Sequence, residues 1–96
     1  MNKIETKPGI ENLIEEIDDI ATELAHRVIL YNDDFHILDE VVLHVQLATG
    51  KSQLEAIEIT MEAHSRGRAV CFTGEKPDCE MVAFELRKVE LTVEID

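Results

Sequence analysis

Tryptophan is absent from this sequence, and three Phe and one Tyr bring all aromatics to only 4%. A core without large rings must be aliphatic and must gain its cohesion from many small contacts. Cysteine occurs twice, at Cys71 and Cys79, with no C-x-x-C spacing. That is too little for a disulfide framework, so both thiols are expected to pack as small apolar groups in a reducing compartment. Basic residues are scarce: nine Lys and Arg stand against 21 Asp and Glu, a net charge of −12. Grasping phosphates requires a basic face, as does docking on anionic lipid, so neither nucleic acid nor membrane is an expected partner. No apolar run approaches the roughly 18 residues of a membrane span, and no secretory signal is evident. A cytoplasmic location is the expectation.

What remains is the pattern of a small folded domain. Hydrophobic residues make up 45% of 96 positions, enough for one modest core. Residues 1–25 differ from the rest. They carry seven acids against Lys3 and Lys7, yet Ile10, Leu13, Ile14, Ile17, Ile20 and Leu24 recur at helical spacing. They read as an acidic N-terminal extension with an amphipathic helix over about Ile10 to Ala21. The domain proper is expected at 26–96.

Within it, RVILY is β-rich and ends at NDD, whose short polar side chains favour a turn. Leu38, Val41, Val42, Val45 and Ala48 form a helical stripe, with Asp39 and Glu40 suited to its start and Gly50 to its close. Ser52 and Glu55 have capping-box spacing for a second helix. Its buried face is expected to run through Leu54, Ile57, Met61 and His64, widened by Ala56, Ile59 and Ala63, and to end at Gly67. RAVCFT reads as a second strand. Pro77 suits the first turn of a third helix, whose inward residues would be Cys79, Val82, Leu86 and Val89. In ELTVEID, Leu91, Val93 and Ile95 alternate with polar residues, as in a half-buried strand. The expected class is α+β: a two-layer β-α-α-β-α-β sandwich. Three helices cover a three-stranded sheet with the first strand in its centre.

Two features carry chemistry. Asn32, Asp33 and Asp34 leave the first strand together, and His64 lies near the end of the second helix. A primary ammonium has three protons, and carboxylate, amide carbonyl and neutral imidazole nitrogen are all acceptors. Converging at one rim, these groups would suit an amine; spacing alone does not establish that they converge.

VILYNDDF, a following helix and then MEAHSRGRAVC resemble the ClpS family of protease adaptors, most closely over residues 26–72. The resemblance implies a β-α-α-β-α-β domain with no catalytic activity, metal or cofactor. It implies binding to proteins with a bulky hydrophobic N-terminal residue (N-degrons) and delivery to the N-terminal domain of a Clp AAA+ unfoldase of ClpA or ClpC type, by a monomer. By position, the amino-group ligands become Asn32, Asp34 and His64, with Asp33 beside them. The side-chain pocket becomes Leu38, Val41, Thr60, Ala63 and Leu91. Three departures stand out. His36-Ile37 replaces the family's Thr-Pro, a change that either narrows the rim or adds an acceptor. Thr60 replaces an apolar pocket residue, and the segment Thr73 to Val89 is shorter than usual.

Other readings start from the same residues. ATGKSQLEAIEI is similar to a segment of the ribosomal stalk protein's C-terminal domain, an interaction module without the NDD–His pairing. A diverged ClpS paralogue could have lost delivery. A metal-dependent hydrolase would have to use Asp33, Asp34, His36 and His64, but the sequence contains no H-E-x-x-H.

Overall fold

The computed structural model describes residues 25–96. The acidic extension and its expected helix over Ile10 to Ala21 lie outside them. Six elements follow in the order β1 (His26–Tyr31), α1 (Leu38–Thr49), α2 (Gln53–Arg66), β2 (Arg68–Gly74), α3 (Lys76–Lys88) and β3 (Val93–Ile95). The sheet order is β2-β1-β3, with β1 antiparallel to both neighbours. The expected α+β class and the central first strand are both observed.

Local chemistry accounts for the element ends. At α2 the Ser52 hydroxyl accepts from the Glu55 N–H while the Glu55 carboxylate accepts from the Ser52 N–H, a complete capping box. Gly50 and Gly67 close α1 and α2 with φ of 76° and 92°, the left-handed region open to glycine at little cost. Between Val28 and Ile29 the register shifts, leaving Cys71 of β2 without a partner residue across the ladder. That bulge accentuates the local twist of the strand pair.

The core lies between the helices and the sheet. Val28 and Leu30 of β1 are buried against Val41 and Val45 of α1 and against Cys79, Val82, Ala83 and Leu86 of α3. Ala69 and Cys71 of β2 join them. Both cysteines are free and buried, and burial pushes the Cys71 thiol up to about 12. They pack as small apolar groups. Among the described residues no helix is long and apolar enough to cross a membrane.

One expectation is corrected. The buried face of α2 is Ala56, Thr60 and Ala63, with Ile59 half-buried; Leu54, Ile57, Met61 and His64 are exposed. At about 100° per residue, Leu54 and Met61 lie on nearly the opposite side of the helix from Ala56 and Ala63. The helix approaches α1 and β2 through its small residues. Two alanines allow the closer contact, and the larger side chains are left outside.

Candidate functional site

Leu30 and Tyr31 end β1, and the chain then turns through Asn32 to Ile37 before α1 begins. Asp33 builds this turn. Its Oδ1 accepts from the backbone N–H groups of Phe35 and His36, each at 2.9 Å. Its Oδ2 meets His36 Nδ1 at 2.9 Å. The other ring nitrogen, Nε2, lies 2.8 Å from the carbonyl oxygen of Val89, at the C-terminal end of α3. Both partners of the imidazole are acceptors, so the doubly protonated ring satisfies both contacts. A cation at a helix C-terminus is also favoured by the aligned peptide dipoles. The Val89 carbonyl, followed by Asp33, holds the His36 pKa above its ordinary value. Burial alone would raise Asp33, but the N–H groups of His36 and Phe35 and the imidazole outweigh it, and its pKa is lowered.

Behind this turn lies a cup lined by Leu30, Tyr31, Asn32, Asp33, His36, Leu38, Val41, Thr60, Ala63 and Leu91. Its space is about 270 Å³ counted out through its open mouth. Leu38 and Val41 come from the first turn of α1 and Thr60 and Ala63 from α2. Leu91 precedes β3. It is placed by a tight helix ending in which Glu90 takes φ 64° and the Leu91 N–H reaches back to the Leu86 carbonyl, 3.1 Å away. One hydrogen bond ties the turn to the end of α2: the Asn32 N–H donates to the Gly67 carbonyl at 2.9 Å.

The nine residues singled out in the sequence are distributed as follows. Asn32, Asp33, Leu38, Val41, Thr60, Ala63 and Leu91 share the cup. Asp34 and His64 are exposed and do not line it. Asp34 follows directly on Asp33 in the turn. His64 follows Ala63 and lies in the last turn of α2, three residues before the glycine that holds Asn32. Leu30 and Tyr31 were not anticipated as lining. The alternation of β1 gives Leu30 away, since Val28 and Leu30 share the face turned to the helices. His36 was read as narrowing the rim or adding an acceptor. It does line the cup, but both its nitrogens are already engaged. Among the described residues no three His, Cys, Asp or Glu side chains gather as metal ligands. The arrangement is an apolar cup with an acidic, acceptor-rich turn at its mouth, the chemistry of a receptor for an amphiphile with a cationic head.

Known proteins share this plan. A family model described as ATP-dependent Clp protease adaptor protein ClpS matches residues 21–93. The ClpS adapter of Synechococcus elongatus is 32% identical over 72 residues, spanning 74% of this chain and 76% of that protein. The ClpS adapter of Shewanella loihica is 38% identical over 63 residues, 60% of this chain and 62% of that protein. Among solved structures, Agrobacterium tumefaciens ClpS2 bound to L-phenylalaninamide superposes with a TM-score of 0.70 at 23% identity. That match covers 75% of this chain and 94% of that one and establishes a common fold. With the family matched across most of its length, this chain belongs to the ClpS family of Clp protease adaptors.

Proposed function

We propose that this adaptor receives the N-terminal residue of a protein, seating a bulky hydrophobic side chain in the cup and the free α-amino group at its mouth. Asn32, Asp34 and His64 accept the ammonium protons. Asp33, with both oxygens already engaged, holds the turn in shape rather than binding the ligand. Leu38, Val41, Ala63 and Leu91 contact the side chain, and Thr60 adds one hydroxyl. The captured protein is handed, without chemical change, to the N-terminal domain of a Clp AAA+ unfoldase of ClpA or ClpC type, by a monomer that needs no cofactor.

The observation that carries this reading is the seating of the NDD turn over an apolar cup and its hydrogen bond to the helix end that bears His64. An amine over an apolar side chain is what that combination of rim and cup suits. The L-phenylalaninamide bound to the Agrobacterium ClpS2 has this chemistry: a free amine beside an aromatic side chain. The stalk-like interaction module loses its ground once the chain is placed in the ClpS family.

The test is a panel of short peptides that differ only in the first residue, each with an acetylated twin, measured by fluorescence anisotropy. Peptides beginning with Leu, Phe or Tyr should bind, and their acetylated twins should not. An acetyl group removes the charge and leaves desolvated acceptors unmatched, at about 1–3 kcal/mol per group. Asp34→Ala should lose roughly tenfold or more in affinity while melting at the wild-type temperature, since Asp34 lies outside the turn's hydrogen bonds. Equal binding of free and acetylated peptides would refute the amine site. Delivery is tested separately. A Leu-ended reporter should be degraded faster by a ClpA- or ClpC-containing protease when the adaptor is present.

A further inference from the structure

Thr60 is 2% exposed, and its Oγ1 is the one buried side-chain polar atom without a hydrogen-bond partner among the described residues. Helical threonines normally solve this problem internally by donating to the carbonyl four residues back. Thr49 does so in this same molecule, its Oγ1 lying 2.6 Å from the Val45 oxygen. Thr60 does not, although it sits mid-helix with a residue at the corresponding place. Its side chain lines the cup together with the buried Ala63 and Val41. Of the other polar groups around the cup, the Asn32 amide is the one proposed for the ligand's amine, and three are already committed, Tyr31 through its hydroxyl to Glu94. His36 has both nitrogens engaged and Asp33 both oxygens.

Within the cup's space of about 270 Å³, the centre of a water-sized group can range over about 20 Å³. That is room for roughly one water-sized group. A buried hydroxyl beside such a space binds a water or a ligand's own polar atom. A ligand that displaces the water must replace its hydrogen bond or lose affinity. Among bulky hydrophobic side chains, phenylalanine and leucine offer nothing in exchange. Tyrosine offers a hydroxyl that both donates and accepts, at the far end of a ring that would lie in the mouth of the cup.

We infer that Thr60 makes this site a receptor that prefers an N-terminal tyrosine over phenylalanine, its Oγ1 hydrogen-bonding the phenol hydroxyl. The inference rests on the proposed binding of N-terminal residues and adds to it the identity of the favoured side chain. Leaving or making one buried hydrogen bond corresponds to roughly a fivefold to hundredfold difference in affinity.

The experiment compares peptides that are identical except for Tyr, Phe or Leu at the first position, on the wild-type protein, Thr60→Val and Thr60→Ser. On wild type, Tyr should bind at least fivefold tighter than Phe. Thr60→Val replaces the hydroxyl by a methyl group and should bring the ratio of Tyr to Phe affinity to one or below. Its thermal stability should equal or exceed wild type, because an unpartnered hydroxyl has been removed. Thr60→Ser keeps the oxygen and should keep the preference. Equal Tyr and Phe affinities on wild type, or a preference that survives Thr60→Val, overturns the inference but leaves amine recognition standing. If no free-amine peptide binds at all, the receptor reading and this inference fall together.

Discussion

At the scale of single residues the most consequential contact spans 53 positions: the His36 ring donating to the Val89 carbonyl. It ties the turn at the mouth of the cup to the end of the third helix, while Asp33 grips the other nitrogen. The charged groups facing the ring are Asp33 and Glu40, both acidic, so nothing nearby opposes its protonation. The sign of the pH dependence follows. His36 is raised in the folded protein, so its contribution is complete below the ordinary histidine value of about 6.5. It is lost as pH rises through the elevated folded value. Asp33 is lowered, so its contribution is complete above the ordinary aspartate value of about 3.9 and is lost as pH falls through its depressed value. Together they favour the window from roughly pH 4 to 6.5. Urea midpoints measured from pH 5 to 9 should therefore decline across the upper half of that range in wild type. His36→Ala should decline less and should be about 1 kcal/mol less stable at pH 6. Parallel profiles for the two proteins would show that the ring is not the titrating clasp. The histidine was visible in the sequence as a departure from the Thr-Pro of the ClpS pattern, but its partner was not. A carbonyl 53 residues away has no side chain to announce it, and the free hydroxyl of Thr60 depends on a rotamer that spacing does not specify.

At the scale of elements, strands and helices could be read directly from the sequence because caps and periodicity agreed. Ser52–Glu55, Gly50 and Gly67 mark ends that hydrogen bonds confirm. The face of α2 was misjudged because periodicity weighted by side-chain size favours Leu54, Ile57 and Met61, whereas close approach to α1 and β2 selects Ala56, Thr60 and Ala63. The consequence bears on function, since the true inward face is the one that supplies two walls of the cup. A pair of substitutions separates the two faces. Leu54 is 67% exposed, and Leu54→Ala should change stability by no more than about 0.5 kcal/mol. Ala56 is fully buried, and Ala56→Leu should cost about 1–3 kcal/mol by forcing the helix off its neighbours. Chemical denaturation of both variants decides the matter; a costly Leu54→Ala with a neutral Ala56→Leu would restore the face that periodicity suggested.

At the scale of the whole molecule, the sheet order puts β1 in the centre, so the turn that follows it emerges between the ends of the flanking elements rather than at an edge. That placement lets residues from α1, α2 and the segment before β3 meet around one cup, although they are distant in sequence. The same molecule carries a net charge of −12, and its proposed ligand presents a cation. A surplus of one sign draws an oppositely charged ligand in before contact, and salt weakens that pull as the screening length falls from roughly 10 Å at 0.1 M to 3 Å at 1 M. Charge attraction of this kind acts mainly on approach, while the buried contacts of the cup set the rate of escape. A C-terminally amidated peptide whose single charge is its α-amino group isolates the effect. Stopped-flow association with the wild-type protein should slow severalfold as sodium chloride is raised from about 0.05 to 0.5 M, with dissociation changing far less. A peptide with two added aspartates beyond the cup should show the opposite trend, because screening then relieves repulsion. Association rates indifferent to salt for both peptides would mean that the acidic surface takes no part in capture and serves only to keep the protein apart from its copies.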